Sequence, residues 1–341
     1  MGALLAIETS CDESAVAMIE YNHQQAHIKD ALISSQIEIH RKYGGVVPEV
    51  ACRNHSLNLP LIVRRLLETH DIDIRELDGF AATGGPGLSS SLLIGHSMAK
   101  GFSVATQKPF YSVNHMEGHL LSPFIEQGSS DIPPHLSLII SGGHTMLVNV
   151  QGIGSYSLIS STLDDAAGEA YDKVGRMLGL PYPAGPEIER HALLGDPKAY
   201  NFPRSLPGKL DFSFSGLKTS VLYTLQKEGF SPQNLPSGQK LADLCASFQQ
   251  AVIDSLLKKT LKAAKLTNHN LVTISGGVSC NNAIKETFAK SLMNKGLSFQ
   301  PCPKKYTTDN AAMIAFTAWL YHLKKQDSRY TTNINPNLAL A

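Results

Sequence analysis

The chain has 341 residues, of which 43% are hydrophobic and 17% charged, and its formal net charge is +1. That length suits two lobes of about 170 residues each, and so small a charge excludes a polyanion held by a global positive field. No apolar run approaches the ~18 residues of a membrane span, and Met1-Gly2-Ala3-Leu4-Leu5-Ala6 lacks the basic and long apolar stretches of a secretory signal.

The five cysteines, Cys11, Cys52, Cys245, Cys280 and Cys302, are odd in number and scattered, with no Cys-x-x-Cys pair. Reduced thiols in a cytoplasmic protein are the expectation. Along the chain, Ala3 to Thr9 and Ser14 to Ile19 are apolar runs split by Ser10-Cys11-Asp12-Glu13, and Ile28 to Gln36 makes a third strand. Val50 to Leu67 has helical spacing, with Leu57, Leu61, Leu66 and Leu67 on or near one face. A strand at Gly79 to Thr83, the turn Gly84-Gly85-Pro86-Gly87, a helix to about Ala105 and a strand at Phe110 to Val113 follow. The helix carrying His115-Met116-Glu117-Gly118-His119 closes this half.

The pattern then restarts. Leu136 to Ile140, Thr145 to Val150 and Tyr156 to Ser160 read as three strands, with the turn Ser141-Gly142-Gly143-His144 between the first two. A helix runs from about Leu163 to Leu178, then an insertion of about 180 to 240 whose part from Leu180 to about Pro207 is Pro/Gly-rich. Leu241 to Ala264 is a long amphipathic helix, Leu271 to Ile274 a strand, and helices start near Asn281 and Asn310. The expected division is a lobe at 1–130, a lobe at 131–330 and a poorly ordered tail at 331–341. A duplicated βββαβα unit is the layout of the two-lobed α/β class of actin, sugar kinases and Hsp70.

His115 and His119 are four apart, so one helix face carries both imidazoles and both can reach one cation. The chain holds its own control: His23 and His27 share that spacing inside a polar run that reads as a solvated hairpin. His115 and His119 instead follow a strand end, where open α/β sheets gather their ligands. Satisfied helix histidines are the plainer reading of the same pair. Asp309, in Thr307-Thr308-Asp309, reads as a helix cap or as a third ligand from about 190 residues away, which only a fold can bring near.

Backbone amides at Ser141-Gly142-Gly143 could cradle a phosphate, and Ser275-Gly276-Gly277 could receive a ribose or adenine at a helix start. Ordinary turn use of glycine is the plainer account of each one alone, but equivalent places in a repeated unit, shared with Ser10-Cys11-Asp12-Glu13, point to nucleotide binding. Asp165, Glu169 and Asp172 recur at i, i+4, i+7 as one carboxylate face, either solvated or with Asp172 accepting from ribose hydroxyls. Phe212 and Phe214 read as core, and Lys218 has no assigned role.

Several segments in fixed order then resemble one family. They are Ile7-Glu8-Thr9-Ser10-Cys11-Asp12-Glu13, Tyr43-Gly44-Gly45-Val46-Val47-Pro48-Glu49, His115-Met116-Glu117-Gly118-His119, Ser141-Gly142-Gly143-His144-Thr145, Asp164-Asp165-Ala166-Ala167-Gly168-Glu169-Ala170, Phe212-Ser213-Phe214-Ser215-Gly216-Leu217-Lys218, Gly276-Gly277-Val278-Ser279 and Thr308-Asp309-Asn310. Together they resemble the bacterial TsaD family, the tRNA N6-adenosine threonylcarbamoyltransferases. The resemblance implies transfer of a threonylcarbamoyl group from threonylcarbamoyl-AMP to N6 of adenosine 37 in tRNAs reading codons that begin with A. It implies one divalent metal on His115, His119 and Asp309, with iron expected and zinc the alternative. It implies contacts of the adenylate with Ile139, Ile140, Ser141, Gly142 and Gly143 on the phosphate side. Asp172, Gly185 and Asn281 match the ribose and adenine contacts, with Glu189 where many members have Asp.

Two further positions depart from the pattern: Ala184 replaces a usual glycine, strained if that backbone needs positive φ, and Asn114 replaces a commoner histidine. The family further implies a smaller TsaB-like paralogue as partner, a TsaE-like ATPase and no membrane. No general base is legible; Glu13 and His144 are candidates. A zinc protease needs Glu directly after the first His, whereas Glu117 lies about 200° around the helix from His115. An ATP-dependent small-molecule kinase would use hydrated Mg²⁺ rather than two imidazoles, and a non-catalytic scaffold would lack the ligand set.

Overall fold

The computed structural model describes residues 1–340. In chain order its elements are β1 (Gly2–Glu8), β2 (Glu13–Tyr21), β3 (Ala26–Ser35), α1 (Ile37–Arg41), α2 (Pro48–Thr69), β4 (Gly79–Gly85), α3 (Ser89–Thr106), β5 (Phe110–Asn114) and α4 (His115–Leu121). There follow β6 (His135–Ile140), β7 (Thr145–Gly152), β8 (Ser155–Ser161), α5 (Ala167–Met177), α6 (Ala184–Ala192), α7 (Ser215–Lys227), α8 (Gly238–Thr267), β9 (Leu271–Ser275), α9 (Asn282–Met293), β10 (Ser298–Pro301) and α10 (Ala311–Leu323).

The chain folds as two compact units, each with one five-stranded sheet. The first sheet has the order β3-β2-β1-β4-β5, and the second, read in the same sense, β8-β7-β6-β9-β10. In both, the first three strands are antiparallel neighbours and the last two run parallel to the first. The burial of each strand follows its place. Central β4 is buried at every position, as a strand covered on both faces must be, while edge strand β3 alternates with period two. The expected duplication is therefore present strand for strand.

The first unit packs Leu5, Ile7, Val16, Leu59, Val63, Leu66 and Phe80 into one core. On α2 the buried face carries Leu59, Val63 and Leu66, whereas Leu57 and Leu61 are 69% and 60% exposed. The sequence expectation grouped these leucines together; the structure separates them onto opposed faces of α2. The second unit has its own core, in which Leu138, Ile140, Val174, Phe212, Phe214, Phe248, Ile274 and Phe288 meet. The 180–240 segment forms α6 and α7, which pack on α5 and α8.

Two expectations on the chain's end are corrected. Residues from Pro303 onward belong to the first unit, not to the second lobe. The reason is α10: Met313, Ile314, Phe316 and Trp319 are fully buried, and the helix packs on β1, β2 and α4. The tail is also tied down rather than loose, since Asn335 N–H donates to Gly84 O at 2.8 Å and Asn114 Nδ2 to Ala339 O at 2.9 Å. Among the described residues no helix is long and apolar enough to cross a membrane.

Candidate metal centre and nucleotide-binding turns

The centre forms at the carboxyl ends of the parallel strands β1, β4 and β5, where an open α/β sheet presents its ligands. Asn114 ends β5 and caps α4: its Oδ1 accepts from Met116 N–H at 2.9 Å. Gly118 lets α10 come close, because a Cβ there would lie 3.1 Å from Ile314 Cδ1 and Met313 Cγ. That approach carries Asp309, one residue before the cap of α10, to the histidines. The cap itself is Asn310, whose side chain accepts from Met313 N–H at 3.0 Å. The capping role expected for Asp309 is therefore filled by its neighbour, and the Asp309 carboxylate is used elsewhere.

Its Oδ1 lies 3.0 Å from His119 Nε2 and 3.5 Å from His115 Nε2. Ligand atoms from His115, His119 and Asp309 all lie within 4.8 Å of one another. Two donors about 2.1 Å from one tetrahedral cation stand about 3.4 Å apart, so these separations suit a shared ion. The rings meet edge to face at 87° with centroids 4.8 Å apart. Both histidines are buried, and His119 Nδ1 has no hydrogen-bond partner. His23 and His27, the control pair, are exposed, and His27 simply pairs with Glu20 at 3.1 Å.

Behind His115 stands a residue that the sequence reading left without a role. Glu8 Oε2 is 3.1 Å from His115 Nδ1, and Ser10 Oγ is 3.1 Å from the same nitrogen. Thr83 Oγ1 and Ser10 N–H also donate to the Glu8 carboxylate. A carboxylate on the far nitrogen fixes the tautomer that aims Nε2 at a cation. The signal was present: an acid ending the otherwise apolar strand GALLAIE must be paired when buried. Burial works against charge on His115, but the Asp309 and Glu8 carboxylates overcome it and hold the imidazolium up to about 10. Glu8 and Asp309 are each lowered against their own burial, chiefly by His115. Glu13 goes the other way, pushed up to about 9 by burial and by the Asp12 and Asp309 charges. In the metal-free protein Glu13 is thus a proton carrier rather than a ready base at neutral pH.

Glu117 points elsewhere. It accepts from Tyr321 Oη on α10, within its own unit and away from Asp309. A hydrolytic Glu beside the histidines, as zinc proteases need, is absent from this helix.

The second unit gathers the other expected residues at the carboxyl ends of β6 and β9. Ile139 and Ile140, at the end of β6, are fully buried and pair with Met146 and Thr145 on β7. Ser141 to His144 make the β6–β7 hairpin, with Ser141 N–H donating to His144 O at 2.8 Å and His144 N–H to Ser141 Oγ at 3.1 Å. Gly142 and Gly143 are exposed, neither takes positive φ, and a Cβ on either would meet no atom. Gly276 is different: φ is +87° and a Cβ would lie 2.4 Å from Ile140 O. The fold itself demands glycine at 276 but not at 142 or 143.

Asp172 Oδ1 accepts from Ala184 N–H at 2.8 Å, and burial raises its carboxyl despite that bond. Ala184 sits in the first turn of α6 without positive φ, so the strain considered for it does not arise. Gly185 follows it with open space about its Cα. Glu189 Oε1 accepts from Asn282 N–H at 2.6 Å, and Asn281 caps α9 through Ile284 N–H at 3.0 Å while donating to Gln249 at 2.7 Å. The three-acid face dissolves into ion pairs: Lys173 holds Asp165 at 2.6 Å and Glu169 at 2.8 Å, and Lys218 holds Asp165 at 2.7 Å. Asp172 alone is left outside that set.

Two sheets of one shared topology define a member of the actin, sugar-kinase and Hsp70 fold class, and its first unit carries a two-histidine, one-carboxylate cluster that could hold a metal ion. Solved structures agree on the fold. A HypF in its phosphate- and nucleotide-bound form has a TM-score of 0.61 at 14% identity, covering 96% of this chain and 56% of that one. HypF of T. kodakarensis has a TM-score of 0.65 at 13% identity, covering 98% of this chain and 50% of that one. Sequence narrows the class. The family model for TsaD, tRNA N6-adenosine threonylcarbamoyltransferase, matches residues 27–316. The protein of that name from Geobacter sulfurreducens is 45% identical over 92% of this chain and 89% of its own length. The one from Kosmotoga olearia is 45% identical over 99% of this chain and 98% of its own. The chain belongs to the TsaD family of tRNA N6-adenosine threonylcarbamoyltransferases.

Proposed function

We propose that the chain transfers the threonylcarbamoyl group of threonylcarbamoyl-AMP to N6 of adenosine 37, in tRNAs reading codons that begin with A, and releases AMP. The observation that carries this reading is the convergence of His115, His119 and Asp309, gathered from both ends of the sequence within one unit. Two imidazoles and one carboxylate suit Fe²⁺, with Zn²⁺ the alternative, and leave positions open for substrate. A cation held there supplies Lewis acidity toward the reacting carbonyl.

The chain's own residues do the rest. Glu8 and Ser10 fix the His115 ring. The backbone at Ile139, Ile140, Ser141, Gly142 and Gly143 receives the AMP phosphate; this reading has support in two glycines that the fold does not itself require. Asp172, Gly185, Glu189 and Asn281 receive ribose and adenine. Asp172 is half-buried and outside the lysine pairs, which suits an acceptor of hydroxyl hydrogen bonds. The exocyclic amine is a poor nucleophile, so its placement supplies much of the rate.

A TsaB-like paralogue and a TsaE-like ATPase complete the system in this reading. Support for a protein partner comes from exposed Leu93, which lines a groove between α2 and α3, and from the further exposed apolar side chains Leu57 and Leu61 on α2 and Val104 on α3.

The test is nucleoside mass analysis of tRNA after incubation with threonylcarbamoyl-AMP, with and without the two partner proteins. His115→Ala should abolish the modified nucleoside while the protein stays folded. Full modification by a protein stripped of metal would overturn the proposal.

A further inference from the structure

After α10 the chain stays on the first unit and runs along the open edge of β5. Ser328 N–H donates to Phe110 O at 2.7 Å, and Ser112 N–H donates to Ser328 Oγ at 2.9 Å. Lys100 Nζ donates to Thr332 O at 2.6 Å. The chain then crosses the end of β4 and the turn after it: Asn335 N–H meets Gly84 O at 2.8 Å, and Gly87 N–H meets Pro336 O at 3.1 Å. Gly85 has φ +147°, and a Cβ there would lie 1.9 Å from Asn335 O. Any other residue would push this segment off.

Two routes lead from the segment to the candidate ligands. Along the first, Ala339 O accepts from Asn114 Nδ2 at 2.9 Å, while Oδ1 of the same amide caps α4 through Met116 N–H at 2.9 Å. One side chain thus ties the tail to the helix bearing both histidines. Along the second, the turn gripped by Asn335 and Pro336 also grips Ser10, since Leu88 N–H donates to Ser10 O at 2.8 Å. Ser10 Oγ in turn lies 3.1 Å from His115 Nδ1.

We propose that residues 333–340 are a positioning strap, which holds α4 and the Ser10 loop in register for cation binding. The inference rests on the metal reading above. A helix of only seven residues has little stability of its own, so its pose is set by its cap and its neighbours. Ligand sets need their supports fixed to within about half an ångström. The strap supplies that support without touching the ligands.

The test titrates Co²⁺ into the full chain, into Asn114→Ser and into a chain ending at Thr332, and records affinity and the visible ligand-field bands. Amide exchange over 115–121 is measured on the same proteins without metal. Serine caps helices as well as asparagine but has no amide to offer Ala339. About tenfold weaker Co²⁺ binding, the size of effect seen when support around ligands is lost, is expected in both variants, with faster exchange over 115–121. Unchanged affinity together with unchanged exchange in Asn114→Ser would overturn the strap, whether or not the shortened chain folds. If the full chain itself takes no Co²⁺, the metal reading fails. The exchange data then decide the strap separately.

Discussion

Raising the pH should tighten cation binding with a slope near one power of ten per unit, and each bound ion should release about one proton. The perturbation is pH itself, and the group is His115. In the metal-free protein the Asp309 and Glu8 carboxylates, working against burial, hold its imidazolium up to about 10. A cation must displace that proton before Nε2 can serve as a ligand. Near pH 7 the displacement costs about three powers of ten in affinity, ~4 kcal/mol. The gain should continue until the pH nears 10 and then level off. Calorimetric titration of Zn²⁺ or Co²⁺ in buffers of different ionisation enthalpy counts the released proton directly. Glu8→Gln removes one of the two carboxylates, so the levelling should move to lower pH. The same groups set the sign for stability. The His115 contribution is complete below its ordinary value of 6.5 and is lost as pH rises through about 10. The Glu8 and Asp309 contributions, both from lowered carboxyls, are complete above the ordinary carboxylate range and are lost as pH falls below it toward their lowered values. Binding that is independent of pH between 7 and 9, with no proton released, would refute the reasoning.

Three further outcomes are expected. Gly142→Ala and Gly143→Ala should leave thermal stability unchanged within about 0.5 kcal/mol yet weaken AMP binding by calorimetry, whereas Gly276→Ala should cost about 1–3 kcal/mol in a denaturant melt, because its φ is +87° and Ile140 O stands in the way. Glu117→Gln should lower stability by about 1–2 kcal/mol through its Tyr321 bond while leaving Co²⁺ affinity within twofold, which spectroscopic titration checks. Leu61→Glu should leave the melting temperature within a few degrees and abolish co-elution with a TsaB-like paralogue on size exclusion, since this side chain is 60% exposed.

The strands were legible because burial and period told the same story. β1 and β6 are short apolar runs ending in turns, and both emerged within a residue or two of their expected limits. β10 escaped notice, since Ser298–Pro301 is a four-residue edge strand containing proline, with no periodic signal. The segment before α8 misled for a related reason: α6 and α7 hide among prolines and glycines, and only their docking on α5 and α8 makes them helices. The histidine pair could be distinguished from its control by context, but Asp309 could not be tied to it by spacing. Its neighbour Asn310 took the cap, and a local rule cannot say which of two adjacent cap-type residues is spare. Glu8 was overlooked because it closes a strand whose other residues all speak for packing.

The return of the chain to its starting unit has a consequence for biosynthesis. When the ribosome has delivered Met1–Ile132, the strands β1 and β2 exist without α10, the helix that packs on them. Their apolar flank waits, uncovered, until the second unit has been made and Trp319 and Phe316 emerge. Asp309 arrives in that same final stretch. Assembly of the His115, His119 and Asp309 cluster therefore waits until the second unit has been made: a polypeptide terminated before then carries both imidazoles but not their carboxylate, and with it an open hydrophobic flank for chaperones and proteases to find.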